Sequence, residues 1–161
     1  MGSVKIMIIK LLLFALGVWA QGGVPPPAET LPQFRFETMG HGVLTNADLP
    51  KGKLLLFVFF DPDCEHCQRA VQKMDAEYRS FEKVGLYFVS AADAAKIAAF
   101  AKKYGPRLKG LWLRDVEYRY MVQFRPVRYP ALFLYSRDKK LLDYEDNAET
   151  IFRIVRSIGR N

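Results

Sequence analysis

The chain of 161 residues contains only two cysteines, placed together as Cys64-Glu65-His66-Cys67. Two thiols at this spacing close a disulfide across one helical turn when a helix begins at the motif. The first sulfur then lies at the helix N-terminus, where unsatisfied N–H groups and the helix dipole favour a thiolate. The second lies one turn in and is shielded. One sulfur can attack a foreign disulfide, and the other can resolve the mixed disulfide that forms. The neighbours pull in opposite directions. A protonated His66 favours the thiolate, whereas Asp61, Asp63 and Glu65 oppose it with three carboxylates. Asp63, Glu65 and His66 are therefore the residues expected to tune the pair, with the sign of their sum open. Two other readings fit the same residues: a pair of buried structural thiols, and a metal site built from Cys64, His66, Cys67 and His41. Haem attachment needs C-x-x-C-H, and Gln68 in the last position excludes it.

The elements around the motif suit this chemistry. Residues 54–60 are an unbroken apolar run rich in aromatics, which predicts a central strand buried on both faces and ending at the motif. A helix over 64–81 follows, with Ala70, Val71, Met74, Tyr78 and Phe81 on one face. Upstream, residues 34–38 and 43–45 predict a hairpin turned at Gly40-His41-Gly42. Downstream come a strand over 86–90 and a helix over 94–104 capped by Asp93 and ended by Gly105-Pro106. A short strand over 111–113, a helix over 117–124, and strands over 131–135 and 141–144 follow. A last helix opens on an Asp146/Glu149 capping box, with Ile151, Ile154, Val155 and Ile158 as its buried stripe. Alternation of strand and helix predicts an α/β fold: a mixed β-sheet, parallel in the centre, flanked by helices, with an N-terminal β-hairpin and an antiparallel edge.

Composition narrows the classes. The length suits one domain, and 50% hydrophobic residues exclude a disordered chain. Two cysteines exclude a multi-disulfide scaffold and a four-cysteine zinc site. A net charge of +7, scattered along the chain, gives no case for a nucleic-acid partner. Residues 1–20 read as a signal peptide. Lys5 and Lys10 flank a short apolar stretch, residues 11–20 carry no charge, and Val18-Trp19-Ala20 predicts cleavage after Ala20. The alternative is an uncleaved membrane anchor over residues 4–20. No cysteine follows the apolar stretch, so a lipoprotein anchor is excluded. Residues 21–30, with Gly22, Gly23 and Pro25-Pro26-Pro27, predict an extended spacer, and residues 31–161 the domain. Export places the cysteines where a disulfide persists. With no third cysteine, the exchange partner is another molecule.

Three segments together carry a resemblance to the thioredoxin superfamily, and within it to the exported TlpA/ResA-like thiol-disulfide oxidoreductases. They are residues 54–60, the motif Asp61-Pro62-Asp63-Cys64-Glu65-His66-Cys67, and Tyr129-Pro130-Ala131-Leu132-Phe133-Leu134. The resemblance spans residues 31–158 and implies a thioredoxin-like fold. Carried over by position, Cys64 is the nucleophile and Cys67 the resolving thiol. Pro130 is a cis-proline facing them, and Tyr129 offers backbone hydrogen bonds to substrate. The resemblance further implies a periplasmic or otherwise extracytoplasmic monomer. It would act on cysteine-containing client proteins and be reset by a redox partner protein, with no metal and no cofactor beyond the Cys64–Cys67 disulfide.

The sequence departs from that pattern at three positions. Val58 stands where thioredoxins have a strand carboxylate, Ala70 where ResA-like proteins often have a Glu, and Asp63 in place of the usual Trp. The usual proton acceptor for Cys67 is therefore missing, and Glu65 or another group must serve. Three alternatives share the fold. A Sco-like copper chaperone needs C-x-x-x-C and a distant downstream histidine, and no histidine follows His66. A peroxiredoxin-like peroxidase expects P-x-x-x-T-x-x-C, but Phe57 and Asp61 occupy the Pro and Thr positions. A redox-inert adaptor would leave two intact cysteines without a role.

Overall fold

Strand β3 (Leu55–Phe59) is apolar at every position, and all five residues are buried. Its side chains alternate between two separate cores. Leu56 and Val58, with the flanking Leu54 and Phe60, pack on one side of the sheet against residues of the helices. Leu55, Phe57 and Phe59 pack on the other side with Phe34, Phe36, Tyr120 and Phe124. Both faces are covered, which is why the strand shows no alternation of apolar and polar residues.

The structure, a computed structural model, describes residues 25–161. The signal peptide or anchor expected over residues 1–20 lies outside the described residues. Seven strands form one sheet in the order β2-β1-β5-β4-β3-β6-β7. They are β1 (Arg35–Thr38), β2 (Val43–Thr45), β3, β4 (Gly85–Ser90), β5 (Leu111–Arg114), β6 (Ala131–Tyr135) and β7 (Leu141–Glu145). Strands β3, β4 and β5 run parallel, while β6 pairs antiparallel with β3 and β7 antiparallel with β6. The hairpin β1–β2 attaches antiparallel to β5. Helices α1 (Glu65–Ala76), α2 (Ala94–Tyr104) and α4 (Ile151–Arg160) supply the first core, while the single turn α3 (Tyr120–Gln123) lies over the second. This is the mixed α/β thioredoxin-like fold expected from the sequence.

Four local expectations need correction. The helix after the motif ends at Ala76, where Glu77 leaves helical geometry at φ −107° and ψ 28°, and a 3₁₀ turn over Tyr78–Phe81 follows. That break turns Phe81 into the core. The helix expected over 117–124 shrinks to α3, because Tyr118 takes a left-handed φ of 56° and the Asp115 carboxylate accepts the Tyr120 N–H at 2.8 Å. The cap of the last helical segment is Asn147, not Asp146: its side chain accepts from the Glu149 N–H at 2.9 Å and opens a 3₁₀ turn over Ala148–Thr150 before α4. Asp146 is drawn away by Arg128 at 3.1 Å, and Glu149 by Lys73. Finally, the part of the spacer nearest the domain is anchored. The Ala28 N–H donates to the Phe124 carbonyl at 3.0 Å, the Leu141 N–H donates to the Glu29 carbonyl at 2.8 Å, and Thr30 bridges Lys140.

Phe57 is the centre of the second core. Its ring stacks on Tyr87 at 4.8 Å and meets the edges of Phe34 at 5.4 Å and Tyr135 at 6.2 Å. Removing it leaves a cavity that β3, fixed on both sides, has no freedom to fill. Phe57→Ala is therefore expected to cost about 3–5 kcal/mol in urea denaturation. A loss below about 1 kcal/mol would show that this core is loosely packed.

Candidate active site

The end of β3 brings the chain to the motif. The Phe60 N–H donates to the Val89 carbonyl at 3.1 Å, and beyond it the chain leaves the sheet. Residues 61–64 then turn sharply. The Asp61 side chain accepts the Asp63 N–H at 2.9 Å, and its carbonyl accepts the Cys64 N–H at 3.1 Å. Such a turn is a common use of Asp. It leaves Cys64 as the N-cap of α1, in extended geometry at φ −87° and ψ 116°.

At that position the sulfur does what a Ser or Asp oxygen usually does. Cys64 Sγ accepts the backbone N–H of Cys67 at 3.4 Å. A thiolate there is held by a helix N–H as well as by the dipole. The two sulfurs sit in different surroundings: Cys64 is half-buried, whereas Cys67 is wholly buried. Burial pushes the Cys67 thiol well above its ordinary value. The nearby Asp61 backbone pulls the other way, and the neighbouring Cys64 adds to the rise.

Two of the three carboxylates are paired with cations, while Asp61 accepts the Asp63 N–H instead. Asp63 pairs with Lys96 at 2.7 Å, which raises the Lys96 pKa. Glu65 lies 3.8 Å from Arg69. The same arginine donates to His66 Nδ1 at 2.7 Å. Arginine only donates, so this contact takes the Nδ1 lone pair and leaves no proton on that nitrogen. Two cations join the residues expected from the sequence: Arg69, one turn along the same helix, and Lys96, contributed by α2. The i,i+4 spacing of Glu65 and Arg69 was the available signal. Nothing local announced Lys96.

The Tyr129–Pro130 bond is cis, and Pro130 is buried. Tyr129 is more than a half-buried aromatic. Its hydroxyl lies 3.3 Å from that of Tyr118, touches that of Tyr120, and donates to Met121 Sδ at 3.0 Å. Burial raises the pKa of both Tyr120 and Tyr129. With Phe60, Asp61, Asp63 and Ser90, the three tyrosines line a cleft of about 300 Å³ beside the motif. Tyr118 and Tyr120 fall in the stretch expected as one helix over 117–124; the left-handed Tyr118 stays outside α3 and Tyr120 opens it, which brings both hydroxyls to Tyr129. Tyr129 and Asp63 are thus brought to one cleft, while Glu65 and His66 face outward to Arg69. Among the described residues no three His, Cys, Asp or Glu side chains gather as metal ligands, so His41 does not join Cys64, His66 and Cys67.

The model of the family described as AhpC/TSA matches residues 27–143. The chain belongs to the AhpC/TSA family. Solved structures agree on the fold. A secreted Mycobacterium tuberculosis disulfide oxidoreductase homologous to Escherichia coli DsbE is 20% identical, with a TM-score of 0.67 over 80% of this chain and 96% of that one. Peroxidoxin BcpB from the same organism is 15% identical, with a TM-score of 0.71 over 83% and 96%. Arabidopsis thaliana ScoI with copper bound is 16% identical, with a TM-score of 0.63 over 83% and 100%. No curated protein matches the sequence. These likenesses show the fold, and the function must be argued from the site.

The buried Cys67 thiol has a measurable consequence. Its pKa is raised in the fold, so its contribution to stability is complete below the unfolded thiol value of about 8.5. Above that pH the unfolded chain releases a proton that the fold retains. Stability then falls by up to about 1.4 kcal/mol per pH unit until the folded thiol itself ionises. Urea midpoints of Cys64→Ser and of Cys64→Ser/Cys67→Ala, measured between pH 7 and 10, are expected to converge as the pH rises. A constant gap would mean that Cys67 is solvated.

Proposed function

We propose that the protein is an exported thiol-disulfide oxidoreductase that exchanges a Cys64–Cys67 disulfide or dithiol with protein cysteines. The observation that carries this reading is the asymmetry of the pair: a half-buried Cys64 whose sulfur receives a helix N–H, beside a wholly buried, protonated Cys67. In the reducing direction, the Cys64 thiolate attacks one sulfur of a client disulfide. A Cys64–client bond forms and the second client sulfur leaves as a thiolate. Cys67 gives up its proton and attacks Cys64 Sγ, releasing the first client sulfur and closing Cys64–Cys67. Two electrons pass to the client, and a redox partner protein restores them. Reversal of each step oxidises the client.

Cys67 needs an acceptor for its proton. Val58 and Ala70 supply none, and Glu65 points to solvent beside Arg69. Asp61 is the carboxylate whose charge is felt at Cys67, and we assign it that role. Tyr129 and Pro130 form the client-facing wall beyond the tyrosine cleft. Asp63, Glu65 and His66 tune the pair through Lys96 and Arg69. Residues 1–20 act as the export signal, the domain works as an extracytoplasmic monomer, and no metal or other cofactor takes part. No helix among the described residues is long and apolar enough to cross a membrane.

The test uses insulin and scrambled ribonuclease as clients. Cys67→Ser is expected to accumulate mixed disulfides with them, seen by non-reducing electrophoresis and mass spectrometry, and Cys64→Ser is not. Asp61→Asn is expected to slow resolution on the order of a hundredfold while leaving the first attack unchanged. The family match favours peroxide reduction as a second reading. Hydrogen peroxide turnover faster than insulin reduction, with no trapping by Cys67→Ser, would replace the first reading with that one.

A further inference from the structure

The motif follows the C-terminal end of β3. At the opposite end of the sheet, where Leu54 leads into β3 and Val84 into β4, lies a cleft of about 470 Å³. Lys53, Arg79, Lys83 and Arg137 line it, and no Asp or Glu side chain does. Among the described residues, none of these four cations has an ion-pair partner. Glu82, adjacent in sequence, is engaged by Lys109 at 3.3 Å. Both guanidiniums donate through Nε, Arg137 to the Gly52 carbonyl at 3.2 Å and Arg79 to the Tyr78 hydroxyl at 3.1 Å, and that of Arg79 also lies over the Tyr78 ring at 5.7 Å. Their remaining N–H groups have the planar fork that suits phosphate or carboxylate oxygens. Cations gathered round one concavity repel each other, and an anion relieves that repulsion.

Ser80 and Asn161 add polar groups to the lining, and its remaining side chains are apolar. Leu54 and Val84 are buried beneath the cleft, and Val155 and Ile158 of α4 are half-buried at its side. A cavity of this size that sets an aliphatic wall against placed charges has the two kinds of surface found in small-ligand sites. A bare anion would satisfy the cations and leave the apolar side wet. A neutral apolar molecule would cover that side and leave the cations unanswered. We propose that this cleft binds a single amphiphilic anion, with a phosphate or carboxylate head on the cations and an alkyl chain along Leu54, Val84, Val155 and Ile158. The site is independent of the cysteines, and occupation does not obstruct the client-facing end.

The test is calorimetric titration of the full chain with decyl phosphate below its micellar concentration. Saturation of one site is expected, with inorganic phosphate at least tenfold weaker and decyl maltoside showing no saturable binding. Lys53 and Lys83 are exposed, so Lys53→Gln/Lys83→Gln is expected to keep the fold and the insulin-reduction rate while weakening decyl phosphate at least tenfold. Equal affinity for inorganic phosphate would remove the apolar half of the proposal. Equal binding of decyl maltoside, or undiminished binding by the double variant, would remove the ionic half. Binding to phosphatidylglycerol vesicles with none to dispersed decyl phosphate would overturn the single-molecule site in favour of a membrane surface.

Discussion

Strand β3 has no polar side chain on either face, and the architecture follows from the need to cover both. A strand of this kind is unstable at an edge and unstable with one face wet. It must lie inside the sheet, between β4 and β6, with a layer of structure above and below. The helices provide one layer. The other is built from unlike parts: the N-terminal strand with its aromatics, the short turn α3, and the segment that enters the fold at Ala28. Because β3 is held on every side, its C-terminal end is a fixed point. The reactive motif begins there, where the backbone stops pairing with the sheet and the first helix has not yet closed its hydrogen bonds.

That junction explains why one sulfur differs from the other. A helix start leaves N–H groups without partners. Here the Cys64 side chain meets one of them, so the capping group and the proposed nucleophile are the same atom. Cys67 lies one turn deeper, among Ala70, Val71 and Met74, where an ionised sulfur has no solvation. The difference between the two thiols is thus produced by the path of the backbone, and the charged side chains around the motif act upon a pair already distinguished.

The parts of this arrangement that were legible in the sequence are those in which residue type determines local structure. The apolar run over 54–60, the Asp93 cap with its helix over 94–104, and the strand after Pro130 were all evident, because periodicity and capping chemistry act over a few residues. The parts that escaped are those decided by distant partners. Asp146 and Asn147 are both good caps, and the choice went to Asn147 because Arg128 claims Asp146. The stretch 117–124 has helical composition, yet the Asp115 carboxylate captures a backbone N–H and bends it. The electrostatics of the motif stay open in the sequence for the same reason, since the cation opposite Asp63 comes from another helix.

The two margins of the sheet also matter for a protein whose proposed clients are chains with exposed backbone. An open strand edge is a template on which foreign chains assemble. One margin here is β2, only three residues long, and the other is β7, whose register shifts beside Tyr135 and whose outer side is partly occupied by residues 29–31. Little unpaired backbone is left on offer at either side. Under the proposed function, such margins would let the protein hold a client through one sulfur without becoming the seed of its aggregation.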